Sequence, residues 1–111
     1  MTVQPAPIEP IASSLPTDDA ELREIVAMWV DTLTLKTNEL RELVESEQLE
    51  AVAELAHWLN GSAGTAGYDA FTEVAASLEQ AAKAGQSQEL GPHVDQIARL
   101  GEAVRAGLPK G

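Results

Sequence analysis

A lone histidine beside two glycines is the most reactive constellation in the chain. His57 falls in the run Ala56-His57-Trp58-Leu59-Asn60-Gly61-Ser62-Ala63-Gly64-Thr65-Ala66-Gly67. The pattern is helical, yet an interior glycine costs a helix about 1 kcal/mol relative to alanine. Two such costs next to one imidazole suggest that something must come close to the ring. Close packing between helices is the other use of such glycines. His93 is too isolated to pair with His57 as a metal site, and reads as a surface residue in the first turn of a helix.

The elements that must position His57 are helical. Leu22, Ile25, Val26, Trp29, Leu33, Leu40, Leu43 and Val44 recur at helical spacing, with a weakening at Thr32–Thr37 that predicts a kink or a break. Asp18 followed by Glu21 has the spacing of a capping box. Ser46 reads as the N-cap of the next helix, with Glu47 in its first turn. That helix runs to about Ala66, with Gly67 just past its end. Asp69 is positioned to cap a third helix with core stripe Phe71, Val74, Leu78 and Ala81, ended by Gly85. Gly91-Pro92 reads as the start of a fourth, with Pro92 in its first position and the stripe Val94, Ile97, Leu100, Val104 and Leu108. Short connections imply antiparallel neighbours, so the expected fold is all-α, an up-down four-helix bundle. Residues 1–16 hold Pro5, Pro7, Pro10 and Pro16 and read as a disordered arm or linker. Residues 17–108 form the bundle, and 109–111 a tail.

Composition narrows the functions available. The chain has 111 residues, enough for one core, and a formal net charge of −11. Nucleic acid and anionic membrane surfaces need clustered Lys and Arg, so neither is an expected partner. No apolar run approaches the roughly 18 residues of a membrane span. The absence of cysteine excludes thiolate chemistry and disulfides. No secretion signal is read at the start, and a cytoplasmic setting is expected.

On a helical wheel, Leu49, Val52, Ala56, Leu59 and Ala63 cluster on one side, and His57 lies about 140° from the centre of that cluster. The ring is expected to face solvent or the edge of the core. Asn60, Gly61 and Gly64 continue its face toward the helix end, Glu54 and Glu50 toward its start. Trp58 sits between this face and the core, and reads either as a partner anchor or as packing on a neighbouring helix.

The run from His57 resembles the signature of histidine-containing phosphotransfer (HPt) domains: His-x-Leu-Lys-Gly-Ser-Ala/Ser with a Gly a few residues later. The likeness extends over about residues 20–108 and includes Leu78-Glu79 on the third helix. It implies that His57 is a phosphoacceptor, taking a phosphoryl group from an aspartate of one receiver domain and passing it to another. The expected partners are the receiver domain of a response regulator or of a hybrid histidine kinase, with the protein a monomeric carrier rather than an enzyme. No cofactor and no metal site are expected in the chain itself. His57 and Glu79 lie about equally far from the turn at 67–68, so antiparallel packing brings them level. In the family a residue matching Glu79 hydrogen-bonds the ring, which implies an orienting role here. Asn60, Gly61, Ser62, Gly64, Trp58 and Glu54 are the expected binding residues. The family's Lys is Asn60 in this chain, so no charge offsets the phosphoryl from that position. A degenerate module that binds a receiver or kinase without transfer is the alternative. A purely structural bundle fits the signature less well.

Overall fold

The computed structural model describes residues 10–108, which form α1 (Ala20–Glu45), α2 (Leu49–Thr65), a 3₁₀ turn (Asp69–Phe71), α3 (Thr72–Lys83) and α4 (Ser87–Ala106). Strands are absent among these residues. Each helix packs on its two neighbours in the ring α1–α2–α3–α4, with α2 against α3 the most extensive pair. The expected all-α four-helix bundle is what the chain forms.

Several boundaries differ from expectation, each for a local reason. α1 is one helix through Thr32–Thr37. Its threonine hydroxyls fold back on their own helix: Thr32 donates to the Met28 carbonyl, Thr34 to Val30 and Thr37 to Leu33. Back-bonding of this kind lets the helix run on without a break, and it is a common cause of helix bending. The N-cap is Asp19 rather than Asp18; its carboxylate accepts from the Glu21 and Leu22 amides at 2.9 and 3.3 Å. Ile25 is not a core residue but is 53% exposed, as Met28 and Leu35 on the same helix are exposed too. Val30 and Thr37 take the core places instead.

Ser46 closes α1 rather than opening α2, its hydroxyl donating to the Glu42 carbonyl at 2.8 Å. α2 begins two residues after Glu47, which adopts a left-handed φ of 54°. Gln48 N then donates to the Leu43 carbonyl and Glu47 N to that of Val44. The ends of α2 and α3 close with the same double hydrogen bond, around Gly67 (φ 88°) and Gly85 (φ 74°). All three are Schellman closures, which need a left-handed residue just past the helix. Glycine adopts that conformation freely; Glu47 does so at a cost.

Asp69 does not cap α3. It opens the 3₁₀ turn, and α3 starts at Thr72 without a side-chain cap. α4 starts at Ser87, so Pro92 lies inside the helix rather than at its first position. Gly91 before it removes one part of the usual clash, the contact of the proline ring with the preceding residue's Cβ.

Within the stretch 1–16 read as a disordered arm or linker, the described part makes contacts with the bundle. Ile11 N donates to the Ala103 carbonyl, Ser14 N to that of Gly67, and Ser13 Oγ to that of Ala66 at 2.7 Å. Ile11 and Leu15 pack against the core. The segment crosses Gly107 and Gly67 so closely that a Cβ at either position would collide with Ile11 or with Ser13. Residues 1–9 of the expected arm and the tail 109–111 lie outside the described residues.

The core holds an aromatic cluster at the α2–α3 turn. Tyr68 stacks on Trp29 with ring centroids 5.2 Å apart, and Phe71 meets Trp29 edge-on at 5.6 Å. Trp29 Nε1 donates to Ser62 Oγ at 3.1 Å. Burial raises the Tyr68 phenol above its ordinary pKa.

The strained turn makes a direct prediction. Glu47→Gly removes the left-handed cost and raises unfolding stability by about 1 kcal/mol in urea denaturation. Unchanged or lower stability rules this account of the turn out.

Candidate functional site

His57 is on the third turn of α2, and its side chain is 78% exposed. Glu79 lies 22 residues later on α3 and is brought level with it by the antiparallel packing. Nδ1 of His57 is 3.4 Å from one Glu79 carboxylate oxygen and 3.3 Å from the other. These contacts lie at the long end of hydrogen-bond distances. A carboxylate can only accept, so the contact becomes a hydrogen bond when Nδ1 carries the ring proton. Nε2 then keeps its lone pair.

Glu79 is itself held. Its side chain is only 16% exposed, and Lys83 Nζ, one turn on, lies 2.9 Å from Oε2. The Lys83 ammonium foremost, and the His57 hydrogen bond after it, keep the Glu79 carboxyl below its ordinary 4.5, against an opposing push from partial burial. His57, Glu79 and Lys83 line a groove of about 700 Å³ between α2 and α3, together with Glu50, Glu54, Leu49, Ala53 and Ala82. The described residues contain no group of three or more His, Asp or Glu able to hold a metal ion.

The remaining candidates divide into two sets. Glu54 is in the groove with His57. Asn60, Gly61 and Gly64 follow on the next two turns of the same face, Asn60 half-buried and both glycines exposed. Nothing lies within 4 Å of a Cβ built at Gly61 or Gly64, so helix packing does not require these glycines. Ser62 is not brought to His57; its hydroxyl is engaged by Trp29 on the α1 side. Trp58 is partly buried against the core, with Lys36 Nζ 5.8 Å from its ring centroid. Of its two readings, packing on the neighbouring helix is the one the contacts describe.

The sequence matches the Hpt domain family over residues 24–107. The chain belongs to the Hpt domain family. Searches among curated proteins and among solved structures returned no match. The Hpt match covers α2 and α3 entire, and with them His57, Glu79 and Lys83. Hpt domains are phosphotransfer modules of two-component systems, carriers rather than catalysts. No helix among the described residues is long and apolar enough to cross a membrane.

Lys83 escaped placement from sequence. Its spacing of four from Glu79 put both on one helix face, but only the α2–α3 pairing brings that face to the imidazole.

The arrangement fixes an NMR outcome. The Glu79 carboxyl carbon titrates with a midpoint below 4.5. Because the folded pKa is depressed, the stability that Glu79 contributes is full above its ordinary value and is lost as pH falls through the lowered one. In the same samples near neutral pH, ring ¹⁵N shifts show the His57 proton held on Nδ1, and Glu79→Ala moves it toward Nε2. An unchanged proton position in that variant refutes the orienting contact.

Proposed function

We propose that this Hpt domain relays a phosphoryl group between receiver-domain aspartates through Nε2 of His57. One observation carries the reading: a 78% exposed imidazole whose Nδ1, and not Nε2, faces a carboxylate.

In the forward step the Nε2 lone pair attacks phosphorus of an aspartyl phosphate. The bond between phosphorus and the aspartate oxygen breaks, and the carboxylate leaves with that electron pair. The ring, still protonated on Nδ1, becomes an imidazolium. Glu79 then faces a full positive charge, which strengthens its hydrogen bond. The return step onto a second aspartate runs the same atoms backward. Such transfers depend on positioning and charge stabilisation more than on covalent work by the protein. The receiver is expected to bring Mg²⁺ and the remaining cationic groups.

The surface around the ring suits a docking protein domain. Gly61 and Gly64 keep it flat beyond His57. Ile25, Met28 and Leu35 are exposed on α1, which packs along α2 through the Trp29–Ser62 and Lys36–Trp58 contacts. A monomeric carrier acting in the cytoplasm belongs to this reading. Asn60 in place of a lysine, with Glu50 and Glu54 close by, favours a second one: a receiver-binding module that transfers nothing.

Two measurements decide between them. Incubation with a phosphorylated receiver labels the wild type with an acid-labile, alkali-stable phosphoryl group, and leaves His57→Gln unlabelled. Clear binding without label selects the adaptor. Gly64→Ala separates docking from folding: it stabilises the helix by about 1 kcal/mol and weakens receiver binding at least several-fold. Unaltered binding in that variant removes the docking role of this face.

A further inference from the structure

A phosphoryl group on His57 would enter acidic surroundings. It brings a charge of about −1.5 to −2 at neutral pH. The groove beside the ring already carries the carboxylates of Glu50 and Glu54 from α2 and of Glu79 from α3. Asn60, one turn beyond His57, has no charge to offer. Among the described residues lining the groove, Lys83 is the single cation.

Lys83 also has the reach. Its Nζ is 2.9 Å from Glu79 Oε2, which is 3.3 Å from Nδ1 of the ring. The side chain is 66% exposed on a flexible four-carbon stem, free to turn without disturbing the core. We infer that Lys83 is the cation of the acceptor site: it rests on Glu79 while the ring is bare and turns onto the phosphoryl oxygens once Nε2 carries them. The role rests on the phosphocarrier reading above. An ordinary helical Glu–Lys pair four residues apart would contribute only to local stability; it would not follow the state of the phosphoryl group.

The test loads the ring without any receiver. Potassium phosphoramidate transfers its phosphoryl group to Nε2: the phosphorus–nitrogen bond of the reagent breaks, ammonia leaves, and the new bond forms to the ring. His93→Gln as the background confines loading to His57. The phosphoryl group is then titrated by ³¹P NMR. A nearby ammonium favours the dianion, so Lys83→Gln raises the midpoint by about half a unit, and Lys83→Arg leaves it near the parent value. Arg99→Gln, the same charge change on α4 and outside the groove, moves it far less. The shift collapses in about 1 M salt, where screening acts over roughly 3 Å.

Coincident titrations of Lys83→Gln and its parent overturn the assignment, whatever receivers do. So does an equal shift from Arg99→Gln. Failure of phosphoramidate to load His57 overturns it as well, because no phosphoryl group is then there to meet. If the Lys83 shift stands while no receiver transfers, Lys83 keeps its role and the relay reading falls instead.

Discussion

The register of α2 against α3 is the constraint on which the site depends. His57 and Glu79 are 22 residues apart, and neither belongs to the hydrophobic core. They meet because the chain reverses in a short, rigid segment. Gly67 ends α2 in the left-handed conformation, the 3₁₀ turn follows, and α3 starts at once. Tyr68 and Phe71 from that segment are buried against Trp29 of α1, which also bonds Ser62 of α2. One helical turn of slip would move Glu79 by about 5.4 Å and abolish a contact made at 3.3 Å. The aromatic cluster therefore serves the site from a distance, by fixing where α3 begins.

The N-terminal segment acts on the same corner. Ser13 and Ser14 bond to the carbonyls at the end of α2, while Ile11 bonds to α4. Backbone groups left without partners at a helix end are thus satisfied by the segment. Ile11 and Leu15 add apolar cover to a core short of large residues. Proline restricts the conformations of such a segment before it docks, which lowers the entropy lost on docking.

At the site, local stability yields to exposure. Gly61 and Gly64 weaken α2 where no neighbouring helix needs the space. Glu50 and Glu54 crowd negative charge beside a ring that would receive more. Glu79 and Lys83 offset one another, so the carboxylate facing Nδ1 stays ionised without adding uncompensated charge. The ring is left open to solvent beside a Glu79–Lys83 pair.

Much of this was legible in the chain alone. Helical periodicity is a local property, so the four helices and most of their core stripes follow from side-chain spacing. The run at His57 and the Leu78-Glu79 pair identify the family for the same reason, since both are short-range patterns. Boundaries were harder where one residue type suits two roles. Ser46 has the chemistry of an N-cap but closes a helix, because Glu47 accepts a left-handed backbone. Pro92 has the look of a helix start but lies inside one, with Gly91 before it easing part of the clash. The threonines of α1 look like a break until their hydroxyls find carbonyls of the same helix. What only the tertiary structure decided is which side chains share a surface. It turned Ser62 toward Trp29, laid residues 11–15 on the bundle and brought Lys83 to the groove of His57. Periodicity states which way a residue faces on its own helix. The neighbour it meets there depends on rotation and register between helices, and those are settled by packing the whole core at once.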